Sequence, residues 1–469
     1  MRRTVVKGVD IDPYLRALRT ELQVPGEFPA EVQAEATRAA TARARDSWSR
    51  DGRADATDLD LVTLDPTGSR DLDQAFALER GKSGLVLHYA IADVGAFVTP
   101  GGAIDGEAHR RGETLYLPDG RVPLHPPVLS EGAASLLPGE ERPAVLWRID
   151  LDAEGEPTAA EVRRAVVRSR AQLDYESLQR DGGAVLDLLR EFGQLREDRE
   201  RARGAVSLAV PEQQVTGNGT GWTLTYRAPL PVEDWNAQMS LLTGMSAARL
   251  MLDADVGLLR TMPPPDDATV QSLRRSALAL DIAWPDGASY PDVVRGLDAS
   301  KPTNAALLRL AAVLFRGAAY VAFDGSAPAV STHSAVAAPY AHATAPLRRL
   351  ADRYVSECCV AICAGVDVPA WVRSMLPALP EEMANADRHA HEVDRAVVDL
   401  AEALVLENRC GELFRGVVVE AGAKGGEVQL RDPAVRARLD GPQLPLGEEI
   451  NVRLVAVDVT KRRVTFESA

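Results

Sequence analysis

The chain has 469 residues, 46% of them hydrophobic and 26% charged, with a formal net charge of -15. That length exceeds one core and predicts two or three domains, and the composition excludes a disordered or fibrous protein. The acidic balance argues against broad adhesion to nucleic acid but leaves room for a local basic channel, because phosphate binding depends on where Lys and Arg sit.

No apolar run approaches the roughly 20 residues of a membrane span. Residues 1–10 hold no sustained apolar stretch of the secretory kind, so the expectation is a cytoplasmic protein with no membrane partner. Cys358, Cys359, Cys363 and Cys410 fit neither a zinc nor a disulfide spacing and read as reduced thiols. His389 and His391, two apart, would point to different faces of a helix rather than share a metal.

In chain order, Asp12-Pro13 forms a cap and first turn, and Tyr14, Leu15, Leu18 and Leu22 follow at helical spacing. After the breaker Pro25-Gly26, an Ala-, Glu- and Arg-rich run to Arg45 predicts a second helix. Residues 1–56 thus read as a helical module, either a helix-turn-helix or winged-helix element that touches nucleic acid or a packing appendage. The first fifty residues hold nine Lys or Arg against seven Asp or Glu, which makes this end mildly basic.

Strands are expected at 59–64, 76–78 and 85–97, then helices at 186–203, 233–252, 304–323, 347–363 and 381–406, with a hairpin around Asn218-Gly219. These elements predict one large mixed α/β catalytic domain over 57–404. Short strands at 413–419, 427–430, 450–457 and 463–466, with a fifth near 437–439, predict an OB-type β-barrel over 405–469. Its ten basic and ten acidic residues leave that segment neutral, compatible with an RNA-binding barrel; a structural cap is the alternative. The expected class is α+β and multidomain.

Two constellations carry chemistry. An apolar strand delivers Asp65, then Asp71 and Asp73, into one short turn, where an extended backbone would put Asp71 and Asp73 on one side. Crowded carboxylates hold protons, stay solvated as turn caps, or bind a hard cation. Mg²⁺ held there would suit phosphodiester hydrolysis, by activating water and taking up charge on the leaving oxygen. The second constellation is Tyr340-Ala341-His342-Ala343-Thr344-Ala345-Pro346-Leu347-Arg348-Arg349. Pro346 would start a helix, placing Arg348 and Arg349 near its positive end to grip a phosphate or to pair with Asp352.

The ordered set Asp65-x5-Asp71-x-Asp73, Ile91-Ala92-Asp93-Val94, Tyr116-Leu117-Pro118, Leu129-Ser130, Ser135-Leu136, Arg142-Pro143-Ala144, Arg203-Gly204-Ala205 and Thr344-Ala345-Pro346-Leu347-Arg348-Arg349 resembles the catalytic domain of the ribonuclease II and ribonuclease R (RNB) family. The trailing barrel is similar to the RNA-binding barrel of that family. The resemblance implies a 3′-to-5′ exoribonuclease that hydrolyses single-stranded RNA to nucleoside 5′-monophosphates with Mg²⁺, or Mn²⁺ in its place. It implies that Asp65, Asp71 and Asp73 are metal and catalytic carboxylates, with Asp73 the most sensitive. Tyr116 would stack on a terminal base, Arg348 would grip the phosphate with Arg349 beside it, and Asp394 would be a further substrate contact. Asp93 would be a strand-end cap in preference to a partner of the metal ligands.

Departures from the family pattern are equally plain. Gln74 stands where the family has a fourth aspartate, offering a metal a neutral oxygen and no charge. Thr344-Ala345-Pro346 replaces Thr-Ser-Pro, and the helix through Asn236 and Gly244 lacks an expected Glu and Asn. The amino-terminal end is too short for cold-shock barrels, so Arg16, Arg19, Arg38, Arg43 and Arg45 would guide RNA instead. The rival readings are a catalytically weakened RNA-binding regulator that keeps the fold, argued from Gln74, and an unrelated metal phosphohydrolase.

Overall fold

Alternation of large apolar residues with alanine builds the centre of the fold. In the strand Leu85–Ala92 all eight residues are buried, with Leu87, Tyr89 and Ile91 in one cluster and Ala90 and Ala92 in another. The computed structural model describes residues 4–7, 11–45, 52–208, 212–217 and 221–469. The central strand is fourth in a seven-stranded sheet ordered Ala171–Asp174, Val62–Asp65, Gln74–Arg80, Leu85–Ala92, Glu141–Leu151, Pro157–Arg168 and Ala54–Ala56. Inner pairs are antiparallel, and the two edge strands run parallel to their neighbours.

The large-residue face takes the helices Ala184–Arg203 and Pro231–Asp253 through Phe192, Met239 and Leu242. Burying side chains of this size stabilises by about 1.5–3 kcal/mol each. The alanine face admits the helices Ala30–Arg45 and Ala103–Arg111 at close range through Val32, Ala36 and Ile104.

Both expected amino-terminal helices form, at Asp12–Glu21 and Ala30–Arg45, but they enter different cores. Leu15 and Leu18 pack with Leu115, Leu117, Val393 and Val397, whereas Val32 and Ala36 pack with the sheet. Each helix has one apolar stripe, and the main body covers it. The strand Thr4–Lys7 pairs with Gly221–Arg227, itself antiparallel to Glu212–Gly217. The expected hairpin therefore has both its strands, and its turn at Asn218-Gly219 lies outside the described residues.

Three expectations shift. The strand expected over 85–97 ends at Ala92, and Val94–Ala96 forms a 3₁₀ turn. The run 304–323 divides into the helix Pro302–Ala311, a 3₁₀ turn Ala312–Phe315 and the strand Ala319–Asp324, which pairs with Val256–Thr261. Gly317 at φ 86 breaks the run, and Tyr320, Val321 and Phe323 favour the extended form that follows. The helix expected from 347 begins at Leu350, with Arg349 extended before it, because residues 344–348 are tied to the acidic turn.

The strands Leu413–Gly422, Gly425–Leu430, Arg436–Asp440, Arg463–Ser468 and Glu449–Asp458 close, in that order, into a barrel around Val418, Val428, Leu439, Leu454 and Phe466. A Cβ at Gly426, in the second strand opposite Ala421 and beside the bulge of the first, would lie 1.9 Å from the Glu420 carbonyl oxygen, so this close strand pairing needs glycine. Among the described residues no helix is long and apolar enough to cross a membrane.

Candidate active site

The strand Val62–Asp65 ends at Asp65, and the chain re-enters the sheet at Gln74, opposite Ile91. Leu72, fully buried, pins the intervening turn: its N–H donates to Ser135 Oγ at 3.0 Å and its carbonyl accepts from Leu136 N at 3.0 Å. Asp71 and Asp73 flank this plug and take different partners. Asp73 is buried, its Oδ1 accepting from the Leu347 N–H at 2.8 Å and its Oδ2 from Arg348 Nε at 2.6 Å. Asp71 accepts from the Arg121 guanidinium, which also reaches Glu131 at 3.0 Å.

Asp65 keeps its buried Oδ2 without a hydrogen-bond partner. Burial pushes its carboxyl up to about 7, and Asp73 and Asp71 add to that push while Arg348 opposes it. Burial likewise raises Asp73 to about 6 against the pull of Arg348 and the Leu347 N–H. Asp65 thus lies within electrostatic reach of both Asp71 and Asp73.

The facing segment is tied down at several points. Gln74 donates its amide to the Thr344 carbonyl. Asp352, with no exposed surface, accepts from Ala345 N at 2.6 Å and from Arg349 Nε and Nη2 at 3.0 and 2.9 Å. Arg348 and Arg349 therefore diverge, the first to the acidic turn and the second to Asp352, the pairing the sequence had offered as the alternative to a phosphate grip. His125, buried and held neutral by that burial, bonds the Pro346 carbonyl from behind.

Tyr116 is 55% exposed, and its hydroxyl lies near Arg348 in the field of Asp71 and Asp73. Two further tyrosines line the site: Tyr175 OH accepts from Asn236 Nδ2 at 3.1 Å, and Tyr89 OH meets Ser240 Oγ at 3.0 Å. Both lie in the field of Asp65 and Arg348. Asp394 sits apart, exposed on the helix Leu379–Leu406 with His391 acting on its carboxyl. Asp93 pairs with Arg53 at 2.7 Å and Arg164 at 3.1 Å. Of the amino-terminal arginines, Arg16 and Arg38 are exposed and Arg19 pairs with Asp119 at 2.8 Å; the side chains of Arg43 and Arg45 lie outside the described residues.

Sequence reasoning missed Arg121, Tyr175 and Asn236. A signal for the first exists: Pro118-Asp119-Gly120 is a turn that sets Arg121 opposite Tyr116 in the hairpin of Leu115–Leu117 and Gly120–Val122. The others arrive from distant elements.

Among the described residues no three His, Cys, Asp or Glu side chains converge as a ready-made metal centre. The donor set still fits a hard divalent cation, because three carboxylates share the turn and one buried oxygen has no hydrogen bond.

Residues 53–364 match the RNB domain, and residues 412–469 match the RNase II-type exonuclease C-terminal S1 domain. The chain belongs to the RNB family. It is 26% identical to ribonuclease R of Escherichia coli K12, an alignment covering 97% of this chain and 60% of that one, so it spans about 60% of that relative's length. Its fold resembles RNase R of Mycoplasma genitalium, solved in complex with ribose-methylated single-stranded RNA, at a TM-score of 0.87 and 18% identity over 97% of this chain and 78% of that one. It also resembles yeast Ssd1, a pseudonuclease, at a TM-score of 0.69 and 17% identity over 89% and 53% of the two chains.

Proposed function

We propose that this protein is a cytoplasmic 3′-to-5′ exoribonuclease that hydrolyses single-stranded RNA to nucleoside 5′-monophosphates, with Mg²⁺ as cofactor and Mn²⁺ as a substitute. The observation that carries this reading is that Asp65, Asp71, Asp73, Arg348 and the Tyr116 hydroxyl lie in one shared electrostatic field at one turn. RNB membership and the likeness to ribonuclease R support it. In the cytoplasm the four free thiols stay reduced.

Asp65, Asp71 and Asp73 would hold the cation, which when bound supplies activated water and charge stabilisation at the leaving oxygen. Arg348 grips the phosphate next to the scissile bond, and its bond to Asp73 sets the direction of the guanidinium. Tyr116 offers its exposed ring to the terminal base while its hydroxyl faces the field of Arg348. Arg349 braces this loop through Asp352. Gln74, ascribed to the metal by its position, serves the same bracing role through Thr344. The neutral barrel tracks the strand upstream, and Asp394 contacts substrate away from the acidic turn.

The second reading is a catalytically weakened RNA-binding regulator, favoured by Gln74 and by the likeness to a pseudonuclease. Purified protein incubated with 3′- and 5′-labelled single-stranded RNA, in Mg²⁺ or in EDTA and beside Asp73→Asn, separates the two. The enzyme should release mononucleotides only with metal, and Asp73→Asn should lose on the order of 10²–10³-fold in rate. Intact RNA that stays bound to the wild-type protein would instead establish the regulator.

A further inference from the structure

The acidic turn is largely neutralised from within. Arg121 holds Asp71, Arg348 and the Leu347 N–H hold Asp73, and Asp65 alone of the three has a buried oxygen without a hydrogen bond. A guanidinium and a divalent cation compete for the same carboxylate, since both neutralise it and they repel each other. Arg348 is already accounted for as the phosphate grip, whereas Arg121 has no role in that reading.

The surroundings of Arg121 give its guanidinium somewhere else to go. The side chain is 22% exposed, lies across the hairpin from Tyr116, and bonds Glu131 from Nε at 3.2 Å as well as from Nη2 at 3.0 Å. It also lines an open cleft of about 610 Å³, together with Arg19, Phe28, Gln33, Pro126 and Val128. That volume lies within the ~300–1,000 Å³ typical of ligand clefts. The lining mixes apolar surface for bases with one carboxylate, Glu27, and two arginines, Arg19 paired with Asp119 and Arg121, and the cleft meets the acidic turn at Arg121 itself.

We propose that Arg121 is a latch: in the free protein it occupies the Asp71 oxygen that the cation takes, and it turns to a phosphate of single-stranded RNA lying in this cleft, so that RNA and cation each raise the other's affinity. The inference rests on the exoribonuclease reading and adds a coupling to it. Because linkage is reciprocal, the cation tightens RNA binding by the factor by which RNA tightens the cation.

The test measures Mn²⁺ binding to the full chain by electron paramagnetic resonance of the free ion, without turnover. Arg121→Gln should bind Mn²⁺ roughly 10-fold more tightly than wild type in the absence of RNA, within the ~5–150-fold range usual for coupled sites. A fully 2′-O-methylated RNA decamer should tighten Mn²⁺ binding to the wild type and leave Arg121→Gln nearly unchanged. Arg70→Gln is the charge control, since Arg70 is exposed and lies 3.8 Å from Glu131. Equal Mn²⁺ affinity in wild type and Arg121→Gln, or a gain of RNA-free Mn²⁺ affinity in Arg70→Gln as large as that in Arg121→Gln, overturns the latch. Mn²⁺ binding that is measurable but indifferent to RNA overturns the latch alone. Failure of wild type and Arg121→Gln to bind Mn²⁺ with or without RNA overturns the metal-dependent reading as well.

Discussion

Gln74 donates its amide to the Thr344 carbonyl, and no carboxylate can do that. An aspartate here would turn an acceptor toward another acceptor, beside Asp65, whose carboxyl burial already pushes up to about 7 with Asp73 and Asp71 adding to the push. Charge for the metal is exchanged for a hold on the segment that carries Arg348. Gln74→Glu keeps nearly the same size and removes the donor, so it should destabilise the metal-free protein by about 1–3 kcal/mol in urea denaturation. An unchanged midpoint would show that this amide bond contributes nothing. The same residue thus accounts for a departure from the family pattern without loss of Asp65, Asp71 or Asp73.

At the scale of elements, the site depends on how closely the helix Pro231–Asp253 meets the segment leading to Arg348. Gly244 is the contact point: its carbonyl accepts from Ala341 N at 3.1 Å, and an added Cβ would lie 2.3 Å from Tyr340 Cε2 and 2.5 Å from the Ala341 oxygen. Backbone and ring must move together to admit a methyl group. Gly244→Ala should therefore cost about 1–3 kcal/mol of stability and slow RNA hydrolysis, because residues 340–348 shift relative to Asp73. Melting temperature and the single-turnover rate check it; a variant that melts and turns over like wild type would mean that this contact has slack.

Across the whole molecule, Glu402 joins three elements. It projects from the helix Leu379–Leu406 and accepts from Gln213 Nε2 at 2.6 Å, in the strand Glu212–Gly217, and from the Arg436 N–H at 2.7 Å, in the barrel. Burial pushes its carboxyl from the ordinary 4.5 up to about 7. The folded protein then keeps a proton that the unfolded chain releases, so this stabilisation is complete below pH 4.5 and is lost as pH rises through 7. Glu402→Gln stays neutral and can still accept both bonds. It should gain on the order of 2 kcal/mol over wild type at pH 8 and little at pH 4, measured by urea midpoints at the two pH values. Parallel pH profiles for the two proteins would remove Glu402 as the linked group.

The candidate site was legible in the sequence where its parts are local. Turn residues and a short apolar strand put Asp65, Asp71 and Asp73 close in the chain, short strands marked the barrel, and Tyr116 and Arg348 stood in recognisable order. Helix and strand limits were less legible where the chain is pulled by distant partners, as at Arg349, extended before its helix because Asp73 and Asp352 hold the residues around it. Only the tertiary structure decided which arginine meets which carboxylate: Arg348 with Asp73 across 275 positions, Arg121 with Asp71 across 50, and Arg349 with Asp352. A guanidinium is chemically suited to any of these carboxylates, so composition and order cannot choose among them. The choice falls to the sheet register and the plug at Leu72, which fix where each oxygen points.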